Sequence, residues 1–165
     1  MSPVHGPGAG EPLVNHFRRL FDCDRRATAL LVDALRGAER APERALERLA
    51  HTVAASEVWL SRVDRTAPRP DELFPKWGLN ESAERAEAVG RAWSERIGSW
   101  TDTRLHQPVR YTSTEGAAYE SRLHEILTHV VNHATYHRGQ IAVDLRAAGF
   151  APPTTDFIAI TRQKA

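Results

Sequence analysis

The sequence predicts an all-α protein, a four-helix bundle with long connections between the second and third helices and between the third and fourth. In four long segments, apolar residues recur at steps of three and four, which is the period of a helix with one face in a core. Prolines and glycines concentrate between these segments, where they end helices. Four amphipathic helices of this length bury their apolar faces by packing into a bundle.

The first two helices follow a leader rich in proline and glycine. We expect residues 1–11 to be mobile and residues 12–165 to form one domain. The first helix is predicted to end at Gly37, since glycine accepts the backbone conformation that follows a helix. Pro42 suits the first turn of a second helix that runs to about Arg65.

The second half of the chain is predicted to contain two more helices and two long connections. Residues 66–78 contain three prolines and form the first connection, after which Asn80 is a candidate N-cap for a helix to about Trp100. Residues 103–120 are consistent with either a small hairpin or an extended loop. The fourth helix is predicted from about Ser121 to Ala148, before Gly149.

Composition excludes several classes of partner. The 22 basic and 21 acidic residues are mixed along the chain, whereas a nucleic-acid-binding surface needs clustered basic residues. No apolar run approaches the ~18 residues of a membrane span, and the start of the chain lacks the apolar stretch of a signal peptide. A single cysteine, Cys23, fits a reducing compartment, so we expect a cytoplasmic protein. A bundle of this size can also form a homodimer.

Three histidines recur at four-residue intervals in the fourth helix: His129, His133 and His137. Residues four apart lie on the same helix face, so two imidazoles at this spacing can share a metal ion. On a helical wheel His137 lies inside the apolar arc and His133 at its edge, whereas His129 lies outside. The inward pair indicates a metal site; hydrogen-bonded core histidines are the alternative.

A third ligand should come from another helix, and His51 in the middle of the second helix is the best candidate. The alternative is an ordinary histidine at the rim of the bundle. No catalytic residue can be assigned. Glu57 lies about 240° from His51 on the wheel, so it is expected to support packing or cap a polar contact rather than act as the general base at the metal. Cys23 lies far along the first helix and is not expected to be a nucleophile at this site.

Three segments resemble the DinB-like (DinB/YfiT-like) superfamily of four-helix-bundle metalloproteins, and the resemblance covers nearly the whole chain after the leader. Residues 132–140, NHATYHRGQ, are similar to the family signature N-H-x-x-x-H-R-G-Q. Residues 51–60, HTVAASEVWL, resemble its second-helix segment, and residues 152–158, PPTTDFI, with Arg162 resemble its closing segment. Many members have a histidine where this chain has Tyr136. The departure concerns only the surroundings of the ligands.

The resemblance implies that His51, His133 and His137 bind a divalent metal ion, zinc or nickel. Three imidazoles leave a coordination position open for water or substrate, as in catalytic zinc sites. Characterised members further imply a small-molecule substrate and a low-molecular-weight thiol, such as bacillithiol or mycothiol, in S-transfer.

Two other functions stay open. One is a non-catalytic, metal-stabilised stress-response or binding module, which would have a filled site and no substrate cleft. The other is a metalloprotease, which is disfavoured because no glutamate follows His129 or His133. The damage-inducible association of the family name concerns expression. It gives no reason to expect DNA binding.

Overall fold

The computed structural model describes residues 11–163, so all but the last residue of the predicted leader lies outside the described residues. The predicted all-α four-helix bundle is confirmed, with two further short helices and a two-stranded sheet. In chain order the elements are α1 (Leu13–Gly37), α2 (Glu43–Val63), α3 (Leu79–Ser99), α4 (Asp102–Leu105), β1 (Pro108–Thr112), β2 (Ala118–Arg122), α5 (Leu123–Ala147) and α6 (Phe157–Thr161).

The four long helices pack so that α1 and α2 lie diagonally opposite each other. Each of these two helices packs against both α3 and α5. The core between them contains Trp93 of α3 and Leu127 of α5, both almost fully buried. Along α2 the buried side chains include Ala50 and Ala54, and α5 buries Ala134. Small side chains allow two helices to approach closely, which suits a site built between α2 and α5.

The helix ends agree only partly with the sequence patterns. Glycine ends α5 as predicted, because Gly149 adopts a φ of 86°. The predicted N-cap at Asn80 is wrong: the N-cap is Gly78, two residues earlier, with no side-chain cap, and α3 begins at Leu79. At the start of α1, where Pro12 offers no cap, the carboxylate of Asp102 accepts hydrogen bonds from two backbone amides, those of Leu13 and Val14, at 2.9 Å each.

Residues 108–122 form the hairpin, the first of the two predicted alternatives. The strands are antiparallel with Arg110 opposite Glu120, and Gly116 adopts a φ of 88° in the turn. Because β2 runs directly into α5, that helix begins two residues later than predicted. The hairpin lies against α2, with the ring of Tyr111 centred 5.1 Å from that of Trp59. It therefore forms a wall beside the histidine-bearing face of α2.

Within residues 11–163, no helix combines the length and the apolar character that crossing a membrane would need.

Candidate metal centre

The three predicted ligands come together between α2 and α5. His51 belongs to α2, and His133 and His137 belong to consecutive turns of α5. Each side chain offers one nitrogen, and these three atoms all lie within 4.8 Å of one another. We call this group the three-histidine centre. Their service as metal ligands stays a prediction, but the convergence that it requires is present.

The spacing of the two histidines of α5 fits a shared ion. Their Nε2 atoms are 3.1 Å apart. Two nitrogens bound at about 2.1 Å to one tetrahedral or octahedral ion are separated by about 3.0 to 3.4 Å. Little movement would be needed for both rings to bind the same ion.

His51 is held by the connection between α2 and α3. Its Nδ1 donates a hydrogen bond to the carbonyl oxygen of Leu73 at 2.7 Å, because a carbonyl oxygen can only accept. The ring also stacks on Phe74, with centroids 4.2 Å apart and planes 4° from parallel. This arrangement fixes the tautomer and leaves the lone pair of Nε2 available, as in the outer contacts of metal-bound histidines. Neither Leu73 nor Phe74 was singled out by the sequence, because a proline-rich connection has no periodicity that places its side chains.

Gln140 does the same for His137. Its Oε1 accepts from Nδ1 of His137 at 2.9 Å, so Nε2 of this ring also presents a lone pair toward the other histidines. Sequence reasoning assigned no role to Gln140. The signal was its position three residues after His137, which puts the two side chains on one face of α5.

The environment of the two histidines of α5 favours their neutral forms. Burial, together with the neighbouring His137, His51 and His129, lowers the pKa of His133 to about 4. Burial also lowers the pKa of His137, although the hydrogen bond with Gln140 opposes this shift. A neutral imidazole is the form that binds a metal. These two side chains are therefore ready to bind a cation at neutral pH.

His129, the remaining histidine of the repeat, is not part of the group. It is exposed, as the wheel predicts, and its ring centroid lies 5.1 Å from Trp59 and 5.8 Å from His133. Tyr136 is also exposed, with its ring beside that of His137.

The other two candidates from the sequence are engaged elsewhere. A carboxylate oxygen of Glu57 accepts a hydrogen bond from Arg85 of α3 at 2.9 Å. Burial raises the pKa of Glu57, while Arg85 lowers it. Cys23 is buried, and burial raises the pKa of its thiol. A raised thiol pKa disfavours the reactive thiolate. Neither residue belongs to the three-histidine centre.

An ion pair beside the centre was missed by the sequence analysis. Arg138 is buried, and its guanidinium pairs with Asp24 of α1 and donates to Thr135 Oγ1 at 2.8 Å. The signal was weak but present, because Arg138 falls within about 20° of Leu145 on the wheel. A buried arginine is stable only when it is paired, so an arginine at the edge of an apolar arc predicts an acidic residue on a neighbouring helix.

Two cavities meet the three-histidine centre. We name the first the hairpin cleft; it has a volume of about 330 Å³ and is lined by both His51 and His133, with walls from Trp59, Arg62, Tyr111 and Tyr119. The second, the bundle cavity, has a volume of about 480 Å³, is lined by residues of all four long helices, and reaches His133. Both volumes are in the range of small-molecule sites.

Comparisons with known proteins confirm the resemblance. The model of the DinB family matches residues 29–164. Protein DinB of Bacillus subtilis strain 168 is 42% identical over 53 residues, 32% of this chain and 31% of that protein, so the match spans about a third of that relative. The uncharacterized protein YrdA of the same organism is 26% identical over 148 residues, 85% of this chain and 86% of that protein. A DinB-like protein from Bacillus cereus ATCC 10987, known from its crystal structure, shares the fold with a TM-score of 0.60 at 22% identity, over 85% of this chain and 93% of that one.

Proposed function

The chain belongs to the DinB family, and from this membership and the arrangement of its histidines we propose that it binds one divalent metal ion through His51, His133 and His137. We propose further that it is a metal-dependent enzyme that acts on a small molecule by thiol-dependent S-transfer. Zinc and nickel are the expected ions, because imidazole ligands favour late first-row metals.

The proposal rests on the convergence of one nitrogen from each of the three rings. The hydrogen bonds to Leu73 and Gln140 turn Nε2 of His51 and of His137 toward the same point. Nε2 of His133 and Nε2 of His137 lie 3.1 Å apart, within hydrogen-bonding distance, so one of them donates to the other. A divalent cation would replace that contact and bind all three nitrogens at once.

The proposed chemistry needs an open coordination position and room beside it. Three protein ligands leave such a position, and the hairpin cleft offers about 330 Å³ next to His51 and His133. When bound, the ion would stabilise a coordinated thiolate and so lower the pKa of the thiol. The thiol loses its proton to solvent, its sulfur forms the new bond to the electrophile, and the leaving group departs with the bonding electron pair.

The side chains of the cleft have a supporting role in this scheme. Trp59 and Tyr111 pack edge to face and provide an apolar wall beside the histidines. An apolar wall limits the water that can compete with the thiol for the electrophile. A purely structural metal site would need no such cleft, which favours the enzyme over the non-catalytic module.

Cobalt-substituted protein provides the test. Titration with mercaptoethanol should produce a thiolate-to-metal absorption band, and the protein should accelerate conjugation of this thiol to a test electrophile at a pH where the free thiol is mostly protonated. Both signals should be absent in His133→Ala and retained in the matched variant His129→Ala. Metal binding without a spectral change on thiol addition, and without a rate above that of the free thiol, would replace the transferase by the non-catalytic metal-stabilised module.

A further inference from the structure

Arg62 lines the hairpin cleft together with His51 and His133. It is eleven residues after His51 on α2, so the two residues lie within about 20° on the helix and about 16 Å apart along its axis. Helical side chains incline toward the N-terminus, which brings the guanidinium back toward His51. A contact with Trp59 is consistent with this direction: the guanidinium carbon of Arg62 lies 4.5 Å from the ring centroid of Trp59, which is almost one helical turn closer to His51.

Arg62 has no acidic partner among the described residues. None of the ion pairs within residues 11–163 includes it, and its Nε is buried without a hydrogen-bond acceptor. Nε of Arg85 and of Arg138 is unpartnered too, but each of those guanidinium groups pairs with a carboxylate through another nitrogen. Of these three arginines, Arg62 alone has no carboxylate partner within residues 11–163.

The surroundings keep Arg62 in place without neutralising it. Its guanidinium lies over Trp59 and 5.3 Å from the ring centroid of Tyr111, and aromatic faces attract cations. Burial lowers its pKa, and the positive charge of Arg69 lowers it further. A partly desolvated cation held between two rings interacts strongly with any anion that reaches it.

The opening next to the hairpin cleft is also positively charged. A wider cleft of about 690 Å³ shares Arg62, Tyr111 and Tyr119 with it and adds Arg65, Arg69 and Arg110 to the lining. Its one acidic residue, Glu120, pairs with Arg110. Such a surface raises the local concentration of anions.

We propose that Arg62 binds an anionic group, a carboxylate or a phosphate, of the small molecule whose other end reaches the three-histidine centre. The inference rests on the proposed function for the end of the molecule that reaches the three-histidine centre. It limits the substrate to anionic molecules long enough to extend from His51 toward Arg62. Trp59 and Tyr111 would contact the intervening part of the molecule.

Cobalt-loaded protein and a matched pair of thiols test anion binding at Arg62, which we call the anion subsite. Mercaptohexanoate and mercaptohexanol have the same chain and differ in charge, and their dissociation constants can be read from the thiolate absorption band. We expect the acid to bind about tenfold more tightly than the alcohol, because a charge-assisted hydrogen bond contributes about 1.5 kcal/mol or more. The advantage should disappear in Arg62→Gln and persist in Arg110→Gln. Mercaptohexyl phosphate, compared in the same way, distinguishes a phosphate from a carboxylate ligand.

The outcomes separate the two proposals. If the alcohol binds and neither anion gains affinity, the subsite is wrong and the metal–thiol proposal stands. If no thiol changes the cobalt spectrum, the proposed function fails, and calorimetry with hexanoate and hexyl phosphate decides the subsite alone: binding that Arg62→Gln removes supports it, and absence of binding overturns it. Should Arg62→Gln fail to fold, the wild-type advantage of the anions must shrink as salt increases; an advantage independent of salt would overturn the subsite.

Discussion

Two polar clusters lie side by side on α5, one centred on His137 and the other on Arg138. In the second cluster the buried guanidinium of Arg138 is paired with Asp24 and hydrogen-bonded to Thr135. In the first, one nitrogen from each of three imidazoles lies within 4.8 Å of the other two. The Arg138 cluster contains groups of opposite charge, whereas the three-histidine centre contains groups of one kind.

The difference indicates what each cluster is for. A buried polar group that finds its partner within the protein contributes to specifying how the helices pack. Three imidazole nitrogens that converge can all be bound by one cation. We therefore expect changes to the Arg138 cluster to alter folding stability, and changes to the three-histidine centre to alter metal binding.

The largest expected effect is that of Arg138→Ala on stability. The substitution removes the arginine partner of the half-buried Asp24 carboxylate, which should lower the free energy of unfolding by about 3 kcal/mol. Urea denaturation measures this loss, and the exposed Arg91→Ala should change stability by less than about 0.5 kcal/mol. If Arg138→Ala lowered the free energy of unfolding no more than this control, the Arg138 cluster would not be a source of folding stability.

Metal removal should have a slightly smaller effect. An ion that binds only the folded protein stabilises it by about 2.7 kcal/mol at a hundredfold excess over its dissociation constant. The melting temperature should therefore fall in excess chelator. In His133→Ala it should not respond to chelator, whereas in the folded fraction of Arg138→Ala it should. A wild-type melting curve that does not move after confirmed metal loss would mean that the histidines do not couple to folding.

Loosening one ligand should weaken metal binding without abolishing it. Gln140→Ala removes the acceptor that orients His137, and loss of such an outer contact typically costs about tenfold or more in metal affinity. Competition with a chromophoric chelator measures the change, with the surface variant Gln107→Ala as control. Equal affinity in the two variants would show that Gln140 does not orient the ring.

The smallest effect concerns Asp102, which lies outside both clusters and caps α1. Its two backbone hydrogen bonds lower its pKa below the ordinary value of 3.8. The stabilisation is therefore complete above that pH and is lost as the pH falls through the lowered pKa. Asp102→Ala should melt at a lower temperature than wild type at pH 7, and the difference should shrink in acid. A difference that stayed constant with pH would assign the effect to something other than the ionised cap.

The sequence predicts the scaffold well because helical periodicity is a local property. Apolar residues that recur at steps of three and four predicted all four long helices. The helical phase of α5 placed His133 and His137 on the inward face and His129 on the outward face. The meeting of His51 with them depends on which helices are neighbours, so its position in the second helix made it only a candidate, which the family resemblance then supported. Contacts made by the loops between helices could not be predicted from the sequence. No local pattern indicates that Leu73 and Phe74 contact His51, or that Gly78 rather than Asn80 precedes α3.

The most direct measurement is the metal content of protein purified without a nickel column and then exposed to one equivalent of zinc or nickel. We predict a metal-to-protein ratio near one, lost in His137→Ala and unchanged in His129→Ala. A folded wild-type protein that retains no metal, or equal loss in the two variants, would contradict the assignment of His51, His133 and His137 as a metal centre.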